Sequence, residues 1–159
     1  MVKEQPNMLL RLAENEEAIA ALYQEYAGRF PEYDSFWRGL AHDEEEHAGW
    51  IRVLGSTDAP DEVFVDRTRF NEQAIQTYLD YLRRELAKVQ QGETTLLNAL
   101  AVTLYIEESL IERKYFEVFD TDAPRLKQVL QNLAAATRTH VEKARETLDS
   151  YKRMSSSSE

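Results

Sequence analysis

Four consecutive acidic residues stand between two histidines in the stretch LAHDEEEHAGW, which covers Leu40–Trp50. If this stretch is helical, Glu44 lies three residues before His47 and shares its face, whereas Asp43 and Glu46 project toward the polar side. A carboxylate oxygen and an imidazole nitrogen on one helix face can bind the same divalent cation. Burying an ionised carboxylate without a partner is costly, and a bound cation would offset that cost for Glu44. The spacing therefore predicts a metal-binding pair, Glu44 and His47.

A single E-x-x-H pair also has a plainer interpretation, because acidic helices contain it by chance and the histidine can lie on a solvated surface. Glu16 favours metal binding, since it stands at the centre of an otherwise apolar stripe in the first helix. The fourth helix adds a further acid, and Glu107 and Glu108 lie about equally far from the centre of its stripe. Glu108 is followed after seven residues by Tyr115, as Glu16 is followed by a tyrosine, and this symmetry slightly favours Glu108.

The chain has five runs with helical periodicity, and the candidate ligands lie in four of them. Apolar residues recur in each run at steps of three and four, which is the pattern of an amphipathic helix. Glycines and prolines are few, and most of them stand near the ends of the runs. The predicted helices are Asn7–Arg29, Tyr33–Leu54, Thr68–Gln91, Thr94–Phe119 and Ala123–Tyr151.

The first two helices and the last two form similar pairs. Each pair is a long helix with an acid in its stripe, a short break, and a helix with a histidine in its stripe, namely His47 and His140. This indicates a degenerate two-fold repeat of a helical hairpin. If helices two and four are parallel, the third must carry the chain back along the bundle, and about 24 residues cover roughly 36 Å. Short loops within the pairs and one long helical crossover predict an all-α, ferritin-like four-helix bundle.

Composition narrows the functions that such a bundle can have. The chain of 159 residues carries a formal net charge of −10, which argues against a nucleic-acid partner. It has no cysteine, which excludes disulfides, thiol catalysis, thiolate zinc sites and cysteine-held iron–sulfur centres. It shows no membrane-spanning run and no signal peptide, so we expect no membrane partner and a cytoplasmic location. We expect one domain over residues 1–151 and a flexible polar tail over 152–159.

Residues 8 to about 150 resemble a rubrerythrin-like member of the ferritin-like superfamily. The resemblance is carried by Glu16 followed by Ile19 and Tyr23, by FWRGLAHDEEEHA, by IEESLIE and by His140. This family places a di-iron centre among four helices, with one Glu from each of two helices and an E-x-x-H from each of the other two. The resemblance implies no catalytic residues beyond the metal ligands. The implied ligands are Glu16, Glu44, His47, Glu107 or Glu108, and His140.

The resemblance also implies an iron cofactor of one or two ions, with manganese or zinc as alternatives. The implied activity is that of an oxidoreductase, either peroxide reduction or Fe(II) oxidation. The chain has no cysteine with which to build the family's rubredoxin module, so a separate electron donor is expected. Apolar faces on five helices predict a homodimer.

One position departs from the family pattern. The second E-x-x-H would place a glutamate three residues before His140, and this sequence has Thr137 there, preceded by Ala135 and Ala136. Threonine adds no charge and its hydroxyl is a weak ligand, so the resemblance implies an incomplete second metal site. The competing hypothesis is a non-catalytic helical scaffold or partner-binding protein that has lost the di-iron chemistry.

Overall fold

The computed structural model describes residues 5–55, 64–65, 72–109, 119–120 and 124–157, and this part of the chain is predominantly helical. Its helices are α1 (Gln5–Arg29), α2 (Asp34–Gly55), α3 (Glu72–Gln90), α4 (Leu96–Glu108) and α5 (Pro124–Ser157). A 3₁₀ turn, Pro31–Tyr33, joins α1 to α2. Two strands of two residues each, β1 (Phe64–Val65) and β2 (Phe119–Asp120), pair antiparallel. The all-α prediction is confirmed for the described residues, although the two short strands were not predicted.

The first two helices form a hairpin with its turn at Pro31. Proline has no N–H with which to continue the α1 ladder, and its fixed φ suits the start of a new helix. Arg52, near the end of α2, forms an ion pair with Glu17 of α1. Farther along α1, Gln24 donates a 2.7 Å hydrogen bond to Glu45. Later residues of α2 thus contact earlier residues of α1, so the two helices are antiparallel.

The turn between α3 and α4 is a Schellman motif around Gly92. Gly92 has a φ of +77°, and its N–H donates to the carbonyl of Val89 at 3.1 Å. The N–H of Glu93 donates to the carbonyl of Lys88 at 2.9 Å, which completes the motif. Thr95 then caps the first turn of α4 with its side-chain oxygen. These local hydrogen bonds reverse the chain between the two helices.

The fourth helix is shorter than predicted and the fifth is longer. The sequence pattern extended the fourth helix to Phe119, whereas α4 stops just before Ser109, which is extended with φ −62° and ψ 153°. Serine favours helix ends because its hydroxyl competes for the backbone hydrogen bonds. Residues 110–118, which carry the rest of the predicted stripe, lie outside the described chain. The fifth helix passes its predicted end at Tyr151 and continues to Ser157, because Lys, Arg and Met sustain helix there.

The second and fourth helices run in the same direction. Early in α2, the indole N–H of Trp37 donates to the hydroxyl of Thr103 at 2.9 Å. Later in both helices, Glu44 and Glu107 bring carboxylate oxygens within 4.8 Å of each other. The contacting residues advance along both helices together, which requires a parallel arrangement.

The third helix returns the chain along the bundle. It packs against α1, and near its start Gln76 accepts a 3.1 Å hydrogen bond from Arg11. Farther along both helices, Glu85 lies close enough to Tyr26 to act on it electrostatically. α3 is therefore parallel to α1 and antiparallel to α2, which lets the chain enter α4 at the end where α2 began. No helix in the described chain combines the length and the apolar character of a membrane span.

An aromatic cluster holds the turn end of the α1–α2 hairpin against α4. Trp37 is fully buried at its centre. Tilted aromatic pairs of this kind stabilise beyond the area that they bury. The centroid distances from Trp37 lie between 5.2 and 6.0 Å, to Tyr26, Phe30, Tyr33 and Phe36. Because Trp37 lies roughly two turns before Glu44 on α2, this cluster also fixes the position of Glu44.

Gly92→Ala should destabilise the fold by about 1–2 kcal/mol, because a side chain disfavours positive φ. The added Cβ would also lie 3.3 Å from the guanidinium of Arg29. Gly39→Ala is the matched control, since it adds the same methyl group inside α2 with no atom within 4 Å. That control should stabilise the protein by about 0.5–1 kcal/mol. Urea unfolding measures both changes, and a Gly92→Ala protein as stable as wild type would contradict the Schellman assignment.

Candidate metal centre

Five acidic and histidine side chains meet in the interior. They come from α1, α2, α4 and α5, and each is at most 2 % exposed: Glu16, Glu44, His47, Glu107 and His140. Their ligand atoms form two sets of three, with all atoms of a set within 4.8 Å of one another. The first set is Glu16, Glu44 and His47, and the second is Glu44, Glu107 and His140. Glu44 belongs to both sets and lies between them.

The inward face of α2 is the one that the sequence predicted. Glu44 is fully buried, and its Oε2 lies 3.4 Å from Nδ1 of His47, one turn later. The two atoms are not aligned for a hydrogen bond, and Nδ1 of His47 has no hydrogen-bond partner among the described residues. Leu40 and Ile51 are fully buried on the same stripe, whereas the neighbouring acid Glu45 is exposed. The helical period thus separates the buried acid from its neighbours.

On α4 it is Glu107 that enters the cluster. Its carboxylate is fully buried and accepts a 2.8 Å hydrogen bond from the hydroxyl of Tyr23. Glu108 lies outside the cluster with its side chain 36 % exposed, and it forms an ion pair with Arg145 of α5. The symmetry that favoured Glu108 depended on Tyr115, which lies outside the described chain. The hydrogen bond to Tyr23 and the surface ion pair distinguish the two acids, and neither contact was visible in the α4 sequence.

Asp43 contacts His140 of the cluster, and the sequence did not predict this contact. Its carboxylate is 41 % exposed, in agreement with its predicted place toward the polar side, yet its Oδ2 lies 2.9 Å from Nε2 of His140. The other ring nitrogen, Nδ1, lies 3.1 Å from Glu44 and 3.4 Å from Glu107. Both ring nitrogens of His140 therefore face carboxylates. The adjacency of Asp43 to Glu44 was the only signal in the sequence, and it does not specify a partner on α5.

The two histidines are shifted in opposite directions. Burial lowers the pKa of His47, and the nearby His140 lowers it further, while Glu16 acts in the opposite sense. Burial also disfavours the charged form of His140, but the nearby carboxylates of Glu107 and Asp43 outweigh burial and raise its pKa. The imidazole rings are stacked with centroids 5.5 Å apart. In the metal-free protein, His140 therefore keeps its proton to a higher pH than His47 does.

Thr137 brings no ligand to the cluster. It is 2 % exposed, and it lies three residues before His140 on α5. Its hydroxyl donates a 2.9 Å hydrogen bond to the carbonyl of Leu133. The hydroxyl thus has its hydrogen-bond partner within its own helix and adds no donor atom to the cluster. The cluster therefore consists of three carboxylates and two imidazoles.

The donor atoms suit a divalent transition metal ion. Carboxylate oxygens and imidazole nitrogens are appropriate ligands for Fe(II), Mn(II) and Zn(II). Two ligands about 2.1 Å from one ion lie at most about 4.2 Å apart. The ligand atoms of each set, within 4.8 Å of one another, therefore need only small side-chain adjustments to share an ion.

Comparisons with known proteins identify no relative. No protein-family model matches the sequence, and neither a curated protein nor a solved structure matches it at a significant level. The geometry of the buried side chains and the resemblance in their spacing are therefore the basis for a functional proposal.

Asp43→Asn should lower the pKa of His140 in the metal-free protein, because it removes a carboxylate that stabilises the imidazolium. In wild type, His140 should titrate above the ordinary value of 6.5 and His47 below it. NMR titration of the ring protons measures both. Glu46→Gln is the control, since Glu46 lies on the same helix and contacts His42 instead. An unchanged His140 titration in Asp43→Asn would show that this contact does not hold the proton.

The same contact gives the stability of the metal-free protein a defined pH dependence. A histidine whose pKa is raised by folding contributes stability fully below its unfolded value of 6.5, and this contribution is lost as the pH rises through the folded pKa. The loss of unfolding free energy caused by Asp43→Asn should therefore be larger below pH 6.5 than above the folded pKa. Urea unfolding of both proteins across this range measures the difference. A loss that grows with pH would contradict the assignment.

Proposed function

We propose that this protein is a rubrerythrin-type, ferritin-like protein that binds non-haem iron between its helices. The observation that carries the proposal is the pair of three-ligand sets that share Glu44. Each set combines two carboxylates with one imidazole, and every one of these side chains is buried. Neighbouring buried carboxylates are costly without compensation, and a divalent cation provides it.

The arrangement of the helices supports the superfamily assignment. Two helical pairs joined by a crossover helix are the plan of ferritin-like bundles, in which ligands project inward from four helices. Glu16 and Glu107 correspond to the single glutamates of that pattern. Glu44 and His47 form one E-x-x-H pair, and His140 is the remaining half of the second.

The two halves of the centre are unequal. In the complete family pattern each E-x-x-H pair contributes a bridging carboxylate, and here Glu44 is the one such acid among the described residues. The half formed by Glu16, Glu44 and His47 has all the ligands that the family pattern gives it. The half around His140 lacks the acid that Thr137 replaces, and both ring nitrogens of its histidine already face carboxylates. We therefore expect one firmly held ion in the first half and a weaker second one.

Bound iron would supply one-electron redox chemistry toward peroxide or dioxygen. The chain's own groups prepare the surroundings of the ion. The hydroxyl of Tyr23 orients the carboxylate of Glu107, and the burial of all five candidate ligands limits the access of water to them. Asp43 connects the buried ring of His140 to the solvent side. This arrangement supports an oxidoreductase of the peroxidase or ferroxidase type. The separate electron donor and the homodimer stay predictions.

A non-catalytic scaffold is the second candidate function. The observation in its favour is that the polar side chains of Thr137 and His140 on α5 already have hydrogen-bond partners. The Thr137 hydroxyl donates to the carbonyl of Leu133, and the ring of His140 lies between Asp43 and Glu44. A cluster that satisfies its own polar groups can persist without metal. In that case the bundle would serve as a partner-binding module.

Iron content separates these two functions. Protein purified without chelator and reconstituted anaerobically with Fe(II) should retain a tightly bound ion, measured by elemental analysis after gel filtration. Glu44→Gln should lower the content to background, because Glu44 is shared by both sets. Glu45→Gln is the matched control, since it removes the same charge from the exposed neighbouring position. Wild-type protein that retains no more iron than Glu44→Gln would contradict the proposal and favour the scaffold.

Thr137→Glu should raise the Fe(II) stoichiometry from near one ion toward two, because it restores the missing carboxylate of the second E-x-x-H pair. Calorimetric titration with Fe(II) under anaerobic conditions measures the change. Thr139→Glu is the control, since it adds the same charge to an exposed position on α5. Two equally occupied ions in the unmodified protein would show instead that another group completes the second half.

A further inference from the structure

Trp50 is the partly exposed aromatic residue that lies against the buried cluster. It follows His47 by one turn of α2, and the two rings are tilted by 42° with centroids 5.4 Å apart. The indole also packs against the apolar core, whereas His47 is only 2 % exposed. Trp50 therefore connects a residue of the first ligand set directly to the solvent side of the helix.

If only one half of the centre holds iron, the reduction of peroxide needs one more electron than that iron supplies. The indole ring of Trp50 can supply it. Hydrogen peroxide takes up two electrons and two protons when it is reduced to two molecules of water. A centre that holds a single ferrous ion supplies one of these electrons and leaves that ion ferric. The second electron must come from a group near the loaded half, which Glu16, Glu44 and His47 form.

We propose that Trp50 supplies this second electron and is thereby a redox-active residue of the protein. The indole loses one electron together with its N–H proton and becomes a neutral tryptophanyl radical. One peroxide, one ferrous ion, one tryptophan and one further proton from solvent then give two waters, one ferric ion and one radical. Because Trp50 is partly exposed, its N–H proton can reach the peroxide through solvent, together with the further proton. This inference rests on the proposed function, since it requires iron in the first half.

Two other aromatic residues are weaker candidates for the same role. Tyr23 is fully buried, and its hydroxyl donates to Glu107, which belongs to the half that Thr137 leaves incomplete. Trp37 lies ten residues before His47, roughly 15 Å away along the helix axis. Its indole N–H is engaged by Thr103 and its ring is enclosed by other aromatic side chains. Trp37 and Trp50 are the two tryptophans of the sequence, so the test must distinguish between them as the source of a tryptophanyl radical.

The test uses the full chain loaded with Fe(II), with the iron content measured on every sample before a stoichiometric addition of hydrogen peroxide. Freeze-quenched samples are examined by EPR, and peptide mass spectrometry locates oxidised residues. Wild type should give a tryptophanyl signal and oxidation at Trp50. Trp50→Phe, which preserves an aromatic ring, should lose this signal while binding the same amount of iron. Trp37→Phe should keep the signal per bound iron; the comparison is made at equal iron content because Trp37 also positions α2 against α4.

A second readout follows from the electron count. Wild type should oxidise one ferrous ion per peroxide, whereas Trp50→Phe should oxidise two, because both electrons must then come from iron. An unchanged ratio and an unchanged radical in Trp50→Phe would overturn the inference, as would a radical that disappears in Tyr23→Phe instead. In either case the retained iron would leave the proposed function standing. Protein that binds no iron would remove the proposed function and this inference together.

Discussion

The carboxylate of Glu44 is the group on which the interior depends. It is fully buried, and its oxygens lie 3.1 Å from His140 and 3.4 Å from His47. A carboxylate in such a position costs several kcal/mol unless a proton donor or a cation lies beside it. α5 provides such a donor in His140, whereas α1 and α4 bring two further buried carboxylates, Glu16 and Glu107, to the same place. The cluster as a whole therefore needs protons or a cation to compensate its negative charge.

The fold meets this constraint through contacts that lie away from the cluster. The hydrogen bond from Trp37 to Thr103 and the aromatic rings around it set α2 against α4 in parallel register. The Schellman turn at Gly92 brings the crossover helix into α4. Since ligand positions must be fixed to within a fraction of an ångström for metal binding, these rigid elements matter as much as the ligands themselves.

Thr137 fits this fold because its buried side chain leaves no polar group unsatisfied. Its hydroxyl donates to the carbonyl of Leu133 inside α5, so this buried position carries neither a charge nor a polar side-chain atom that lacks a partner. Glu107 and Asp43 raise the pKa of His140 in the metal-free protein, and protonation of this ring adds positive charge beside Glu44. Because a histidine must be neutral to bind a metal, an ion that enters this half must displace that proton.

A metal-bound state would use the carboxylates of the cluster in a different way from the metal-free state. Without an ion, Glu44 faces the ring of His140. With an ion in the first half, Glu44 can keep that contact through one oxygen while the other, which faces His47, becomes a ligand. This division explains how one buried acid can belong to both ligand sets.

The sequence by itself determined the all-helical class, the inward faces of the helices and four of the buried side chains: Glu16, Glu44, His47 and His140. Helical periodicity suffices for these, because it assigns each residue of one helix to a face. Tertiary structure decided between Glu107 and Glu108, joined Asp43 to His140, and ended α4 near Ser109. Adjacent residues at the edge of a stripe differ by their partners on other helices, and those partners are set only when the helices pack.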